Sequence, residues 1–213
     1  VIWKFRQLSC LTEALGFTAF VAWYIWWGQS HMPVSTVIFP VWLLVSFFLR
    51  RDTPKTLGWR TDNLWPASQT ALLFFIAAAS TICVAGFFLD SFHRISLQFG
   101  ALRNIIGYFL FCVIQQVGLN SLLSNRLMTS FEKPMPVALS AGFLFAAVHW
   151  PNPVLVPLTF LGGATMSFLF LRERNILPLA LGQAILGLLT SWAFPLAWHH
   201  SMRVGPGYFT FRR

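Results

Sequence analysis

Seven stretches of this chain are apolar over nearly enough residues, or more than enough, to cross a bilayer, and this narrows the accessible folds more than any motif does. They cover roughly residues 11–28, 33–49, 65–89, 104–123, 135–149, 153–171 and 176–198. A hydrocarbon core about 30 Å thick takes about 17–25 apolar residues per helix. Lipid-exposed backbone satisfies its N–H and C=O groups only in a helix or a closed barrel. The pattern predicts an all-α polytopic membrane protein of about seven transmembrane helices. Only 10% of the 213 residues are charged, against about 25% in soluble domains, so the chain cannot cover a water-facing surface. The 23 Phe and 10 Trp suit lipid-facing and interfacial positions.

Turn signals separate the spans at Gly28-Gln-Ser-His-Met-Pro33, Arg50-Arg51-Asp52-Thr53-Pro54 and Trp150-Pro151-Asn152-Pro153. No repeat or low-complexity tract interrupts them, so residues 1–213 read as a single membrane domain. The net charge of +9 is spread over short loops, which argues for orientation and lipid contact and against nucleic acid. Lys4, Arg6, Arg50, Arg51, Lys55, Arg60, Arg126, Lys133, Arg172 and Arg174 fall on one side, and Arg94, Arg103, Arg203, Arg212 and Arg213 on the other. The excess places the N-terminus in the cytoplasm and the C-terminus outside, in what we expect to be a bacterial inner membrane. Cys10, Cys83 and Cys112 lack paired spacing and read as buried small hydrophobes. The opening Val1-Ile-Trp-Lys4 lacks a small-residue cleavage site, so no removable signal peptide is expected; without an initiator Met, the start can lie upstream.

Polar residues inside spans are costly and mark functional positions. Gln115, Gln116 and Asn120 lie in span four, Phe145 and His149 close span five, and Gln183 interrupts span seven. Gln116 and Asn120, four apart, share a helix face. No carboxylate or basic side chain joins this set. Glu13, the one carboxylate within an apolar stretch, is expected to pair with Arg6 or Lys4 at the membrane edge; the alternative makes it a base for the polar site. His199 and His200 are expected at headgroup level rather than on a metal. Gly162, Gly163 and Ser167 in span six, and Gly182 and Gly187 in span seven, predict close helix packing, and span six shows no polar role beyond that.

The arrangement resembles the CPBP family of intramembrane proteases, which includes the CAAX prenyl endopeptidases. The resemblance covers about residues 56–200. It rests on Leu57-Gly58-Trp59-Arg60, Asn125-Arg126-Leu127, Phe145-Ala-Ala-Val-His149-Trp-Pro-Asn-Pro153, Phe160-Leu-Gly-Gly163 and Arg172-Glu-Arg-Asn175-Ile-Leu-Pro178-Leu-Ala180. The family pattern is Glu-Glu-x-x-x-Arg, Phe-x-x-x-His and His-x-x-x-Asn/Asp on successive motifs. Here Gln115 and Gln116 stand for the Glu pair, Asn120 for the Arg, Gln183 for the third-motif His and Gly187 for the Asn or Asp; Phe145 and His149 match.

The resemblance implies a CPBP-like bundle with Gln115, Gln116, His149 and Gln183 at the catalytic positions and Asn120 and Phe145 as binding residues. It also implies water activation by Glu, with zinc if the site is active. A carboxamide cannot act as a general base near neutral pH, so no cofactor is expected, and His149 is the one metal-capable residue of the set. Loss of both charge signs together leaves amides able to satisfy one another. The expected function is a protease-like pseudoenzyme serving as a binding or assembly subunit of a membrane complex, with the bilayer and a membrane protein or transmembrane peptide as partners. The alternatives are an active endopeptidase with altered chemistry and, more weakly, a pigment or haem ligand at His149. No Gly-x-Ser-Gly nucleophile or Asp pair points to another intramembrane chemistry.

Overall fold

The computed structural model describes residues 2–92 and 101–211; His93, Arg94, Arg212, Arg213 and the side chain of Arg103 lie outside the described residues. Among the described residues every regular element is helical, as expected. Helix α1 (Ile2–Trp23) continues through a π-helical turn to His31, so the first turn signal lies inside a helix until Met32-Pro33. The chain re-enters through α2 (Ile38–Arg50) and returns in α3 (Leu64–Phe88). Next come α4 (Ala101–Gln116), a π-helical segment Val117–Ser124 and α5 (Asn125–Phe131), together one continuous rod. α6 (Pro134–Ala147), α7 (Leu155–Glu173) and α8 (Leu177–Ala193) complete the bundle.

Five of these helical stretches are long and apolar enough to span a membrane alone, and Pro134–Ala147 and Leu177–Ala193 are shorter apolar helices. Their outer faces carry large exposed apolar side chains such as Phe48, Leu73, Phe87 and Phe143. A contiguous surface of that kind is what lipid, and not water, covers. The chain is a polytopic membrane protein.

Besides span one, whose helix runs from Ile2 to His31, two boundaries differ from the sequence expectation. Span four does not end at Leu123, because the polar residues on either side of it are satisfied within the bundle. Ser121 Oγ donates to Leu57 O (2.5 Å), and Asn125 Nδ2 donates to Thr56 O and Ser121 O (both 3.0 Å). Span seven ends at Ala193 and not at residue 198, since Phe194 is extended ahead of Pro195. Proline disfavours helical backbone in the residue before it.

The lead-in Leu57-Gly58-Trp59-Arg60 is held where α7 turns into α8. Gly58 has φ +85° and accepts from Ile176 N (3.1 Å); a Cβ there would come within 2.7 Å of Phe170. Asn175 Nδ2 donates to Arg60 O and to Asn63 Oδ1 (both 2.9 Å), and Asn63 Nδ2 donates to Glu173 O (2.5 Å). These bonds tie the start of α3 to the end of α7 and so fix the frame around α4.

The expected close packing is present at Gly163, Gly182 and Gly187, whereas Gly162 meets only Met166 of its own helix at 3.8 Å. A Cβ on Gly142 of α6 would lie 2.7 Å from Ala164 N and Phe160 O of α7, and Gly163 lies against Phe145 and the Gly142 backbone. Gly142→Ala is expected to destabilise the bundle by about 1–3 kcal/mol, because rigid backbone has to move. Gly107→Ala meets nothing within 4 Å and should be neutral or stabilising by up to about 1 kcal/mol. Thermal unfolding of the pair in detergent checks this, and equal behaviour would refute the close approach.

Candidate functional site

The π-helical segment sets the site. Leu119–Ser124 are all buried, so polar side chains there need internal partners, and widened turns of this type recur at functional positions. Gln116 and Asn120 are fully buried. Ser124 Oγ donates to Asn120 Oδ1 (3.1 Å), and Asn120 Nδ2 donates to Gln116 Oε1 (2.5 Å). Gln116 Nε2 donates to Gln183 Oε1 (2.6 Å), and Gln183 Nε2 donates to Gln115 Oε1 (2.6 Å). Ser124 also shares a 2.7 Å bond with Ser167, and Gln116 Nε2 lies 3.1 Å from Met166 Sδ. Four amides and two hydroxyls thus form one chain across α4, its π segment, α7 and α8.

Four residues singled out from the sequence, Gln115, Gln116, Asn120 and Gln183, meet here. Ser124, Met166 and Ser167 complete the chain; Ser124 and Met166 were not anticipated, and Ser167 was expected to serve packing alone, like the rest of α7. The missing signal is physical. Serine in a helix routinely bonds a carbonyl of the preceding turn, so its presence in a span identifies no external partner.

His149 stands apart from this chain. It lies just past α6, with Nδ1 2.6 Å from Phe145 O and its ring edge-on to Phe145 at 4.7 Å. Among the described residues it makes no hydrogen bond to the amides. The third-motif position is closed as well: a Cβ on Gly187 would fall 1.9 Å from the Tyr108 hydroxyl, so the phenol takes the room a longer side chain would need.

Glu13 pairs neither with Arg6 nor with Lys4, nor does it serve the amides. It pairs with Arg50 (3.1 Å) and Arg126 (3.3 Å) and accepts from Ser46. Arg126, counted as a loop cation in the sequence, is helical and 3% exposed, and it also reaches Asp52 Oδ2 (2.7 Å) and Ser46 Oγ (2.8 Å). Its partners lie 113 and 74 positions away, beyond the reach of local pattern. His199 is buried in the protein: its Nε2 faces Phe194 O and its Nδ1 accepts from Met202 N. His200 instead stacks on Tyr208, so the two imidazoles have separate partners.

A catalytic zinc takes three imidazole, thiolate or carboxylate ligands. Among the described residues no three His, Cys, Asp or Glu side chains form such a group. The oxygens of Gln115, Gln116 and Gln183 are neutral and already accept hydrogen bonds. This donor set does not fit the metal, and it contains no group that accepts a proton from water.

A family model described as type II CAAX prenyl endopeptidase, Rce1-like, matches residues 70–189, which takes in the amide chain, His149 and Tyr108. No curated protein and no solved structure matches.

Proposed function

Because the chain belongs to the Rce1-like family of type II CAAX prenyl endopeptidases, we propose that it uses the family's membrane scaffold without its hydrolytic chemistry, as a binding or assembly subunit of a membrane complex. The observation that carries this reading is the self-satisfied amide chain from Ser124 to Gln115. At the positions where the family's motif has charged groups, each amide here is occupied by another amide, and the amides offer no base for water activation. A pseudoenzyme of this kind takes a membrane protein or a transmembrane peptide as its partner and holds it by shape and by polar contacts along the spans. It sits in a bacterial inner membrane with the Arg50–Arg126 end toward the cytoplasm.

The test uses the full chain in nanodiscs with a prenylated CAAX peptide and, separately, affinity capture from gently solubilised native membranes. We expect no cleavage above a protein-free control, and a stoichiometric membrane partner that stays bound to His149→Ala. Cleavage by the wild-type chain that His149→Ala abolishes, with unfolding temperature unchanged, would instead assign an active endopeptidase. His149 suits this test because its one described hydrogen bond is to its own turn.

A further inference from the structure

At the end of the bundle away from α6's C-terminus, a cavity of about 540 Å³ is lined by Arg6, Arg50, Lys55, Arg60, Arg126 and Arg174, with Asp52 the one carboxylate among the described lining residues. Glu13 and Asp62 reach Arg50, Arg126 and Arg60 from outside the wall. Six cations against these three carboxylates leave three positive charges uncompensated around one space. Among the described residues, Arg6 and Lys55 join no salt bridge. Arg174 is held by neutral groups alone, Asn125 Oδ1 and the Phe170 ring at 5.3 Å, and burial pushes its guanidinium below the ordinary range. Concentrated like charge at a low-dielectric wall attracts a counter-ion.

A second cavity of about 510 Å³ opens beside the first, and Arg50 borders both. Its wall along α2 is apolar at Ile38, Val41, Trp42, Val45 and Leu49, with Ser46 and the Glu13 carboxylate of α1 its polar members beside Arg50. Eleven helical steps from Ile38 to Leu49 cover roughly 16 Å, which is about one leaflet of a 30 Å core. An anion site at the membrane edge thus continues into a groove of acyl-chain length. We propose that this end of the bundle binds an anionic phospholipid, its phosphate in the basic cavity and one acyl chain along Ile38–Leu49. Bidentate guanidinium contacts suit a phosphate, and the groove distinguishes a lipid from a free ion.

No residue of this site belongs to the amide chain, so its test is independent of the pseudoenzyme reading. The full chain is purified in a neutral maltoside detergent, and its unfolding temperature is measured with phosphatidylglycerol, phosphatidylcholine or inorganic phosphate at matched ionic strength. Phosphatidylglycerol well above its Kd should raise Tm by about 5 °C, with little change from the other two. The double variant Arg6→Gln/Lys55→Gln changes exposed side chains outside the ion-pair network and should lose at least half of the shift. Val45→Trp, which fills the groove, should reduce it too. Equal shifts from phosphatidylcholine or inorganic phosphate, no shift from phosphatidylglycerol, or an undiminished shift in the double variant would each overturn the assignment.

Discussion

Arg126→Met should destabilise the protein by about 3–5 kcal/mol, the usual cost of removing one partner from a buried ion pair. Arg126 joins Glu13 of α1, Ser46 of α2 and Asp52 of the following turn to α5. Without it, Asp52 loses its described cation and Glu13 keeps Arg50 as its one described cation, with Ser46 still donating to it. Asp52 lines the basic cavity and can recruit water, which limits the loss. Glu13 loses one of its two described cations, so Glu13→Gln in the Arg126→Met background should recover part of the stability. Arg126→Lys should fall between the two, since a point-charge ammonium cannot replace the guanidinium fork. Thermal and denaturant unfolding of wild type, Arg126→Met, Glu13→Gln and the double variant gives the cycle, and strictly additive losses would contradict the network.

The second large effect is expected at Gln116. Gln116→Leu strands Asn120 Nδ2 where it is fully buried and Gln183 Oε1 where it is partly buried. Each unsatisfied buried group costs about 1–3 kcal/mol, so a loss of about 2–4 kcal/mol is expected. Replacing Gln116, Asn120 and Gln183 together by Leu should cost less than Gln116→Leu alone, because complementary partners are removed as a set. An alternative with the amides serving only catalysis predicts unfolding temperatures near wild type for all of these variants. Unfolding in detergent therefore separates a structural amide chain from a spare catalytic relic.

The legibility of the molecule follows from how far each signal reaches along the chain. The spans were plain because apolar runs are local. Gln115, Gln116, Asn120 and Gln183 stood out because amides are rare in hydrocarbon, and they do meet. The role of Arg126 was hidden because its charge resembles that of any loop cation until α1 and α2 deliver Glu13 and Asp52. His149 matched a motif in the sequence, yet its ring bonds its own turn, since spacing within a helix fixes a face and not a partner on another helix. Gly187 read as a packing residue, and it is one; what could not be read was that Tyr108 from α4 fills the space above it.

The hydrogen bonds from Ser124 through Asn120, Gln116 and Gln183 to Gln115 all point the same way: each residue gives its hydrogen toward Gln115 and receives one from the Ser124 side. A single amide cannot turn over alone without facing hydrogen against hydrogen on one side and oxygen against oxygen on the other. The row therefore behaves like a line of coupled compass needles, reversing together or not at all, and a polar group docking at either end would be felt at the opposite one without any helix having moved.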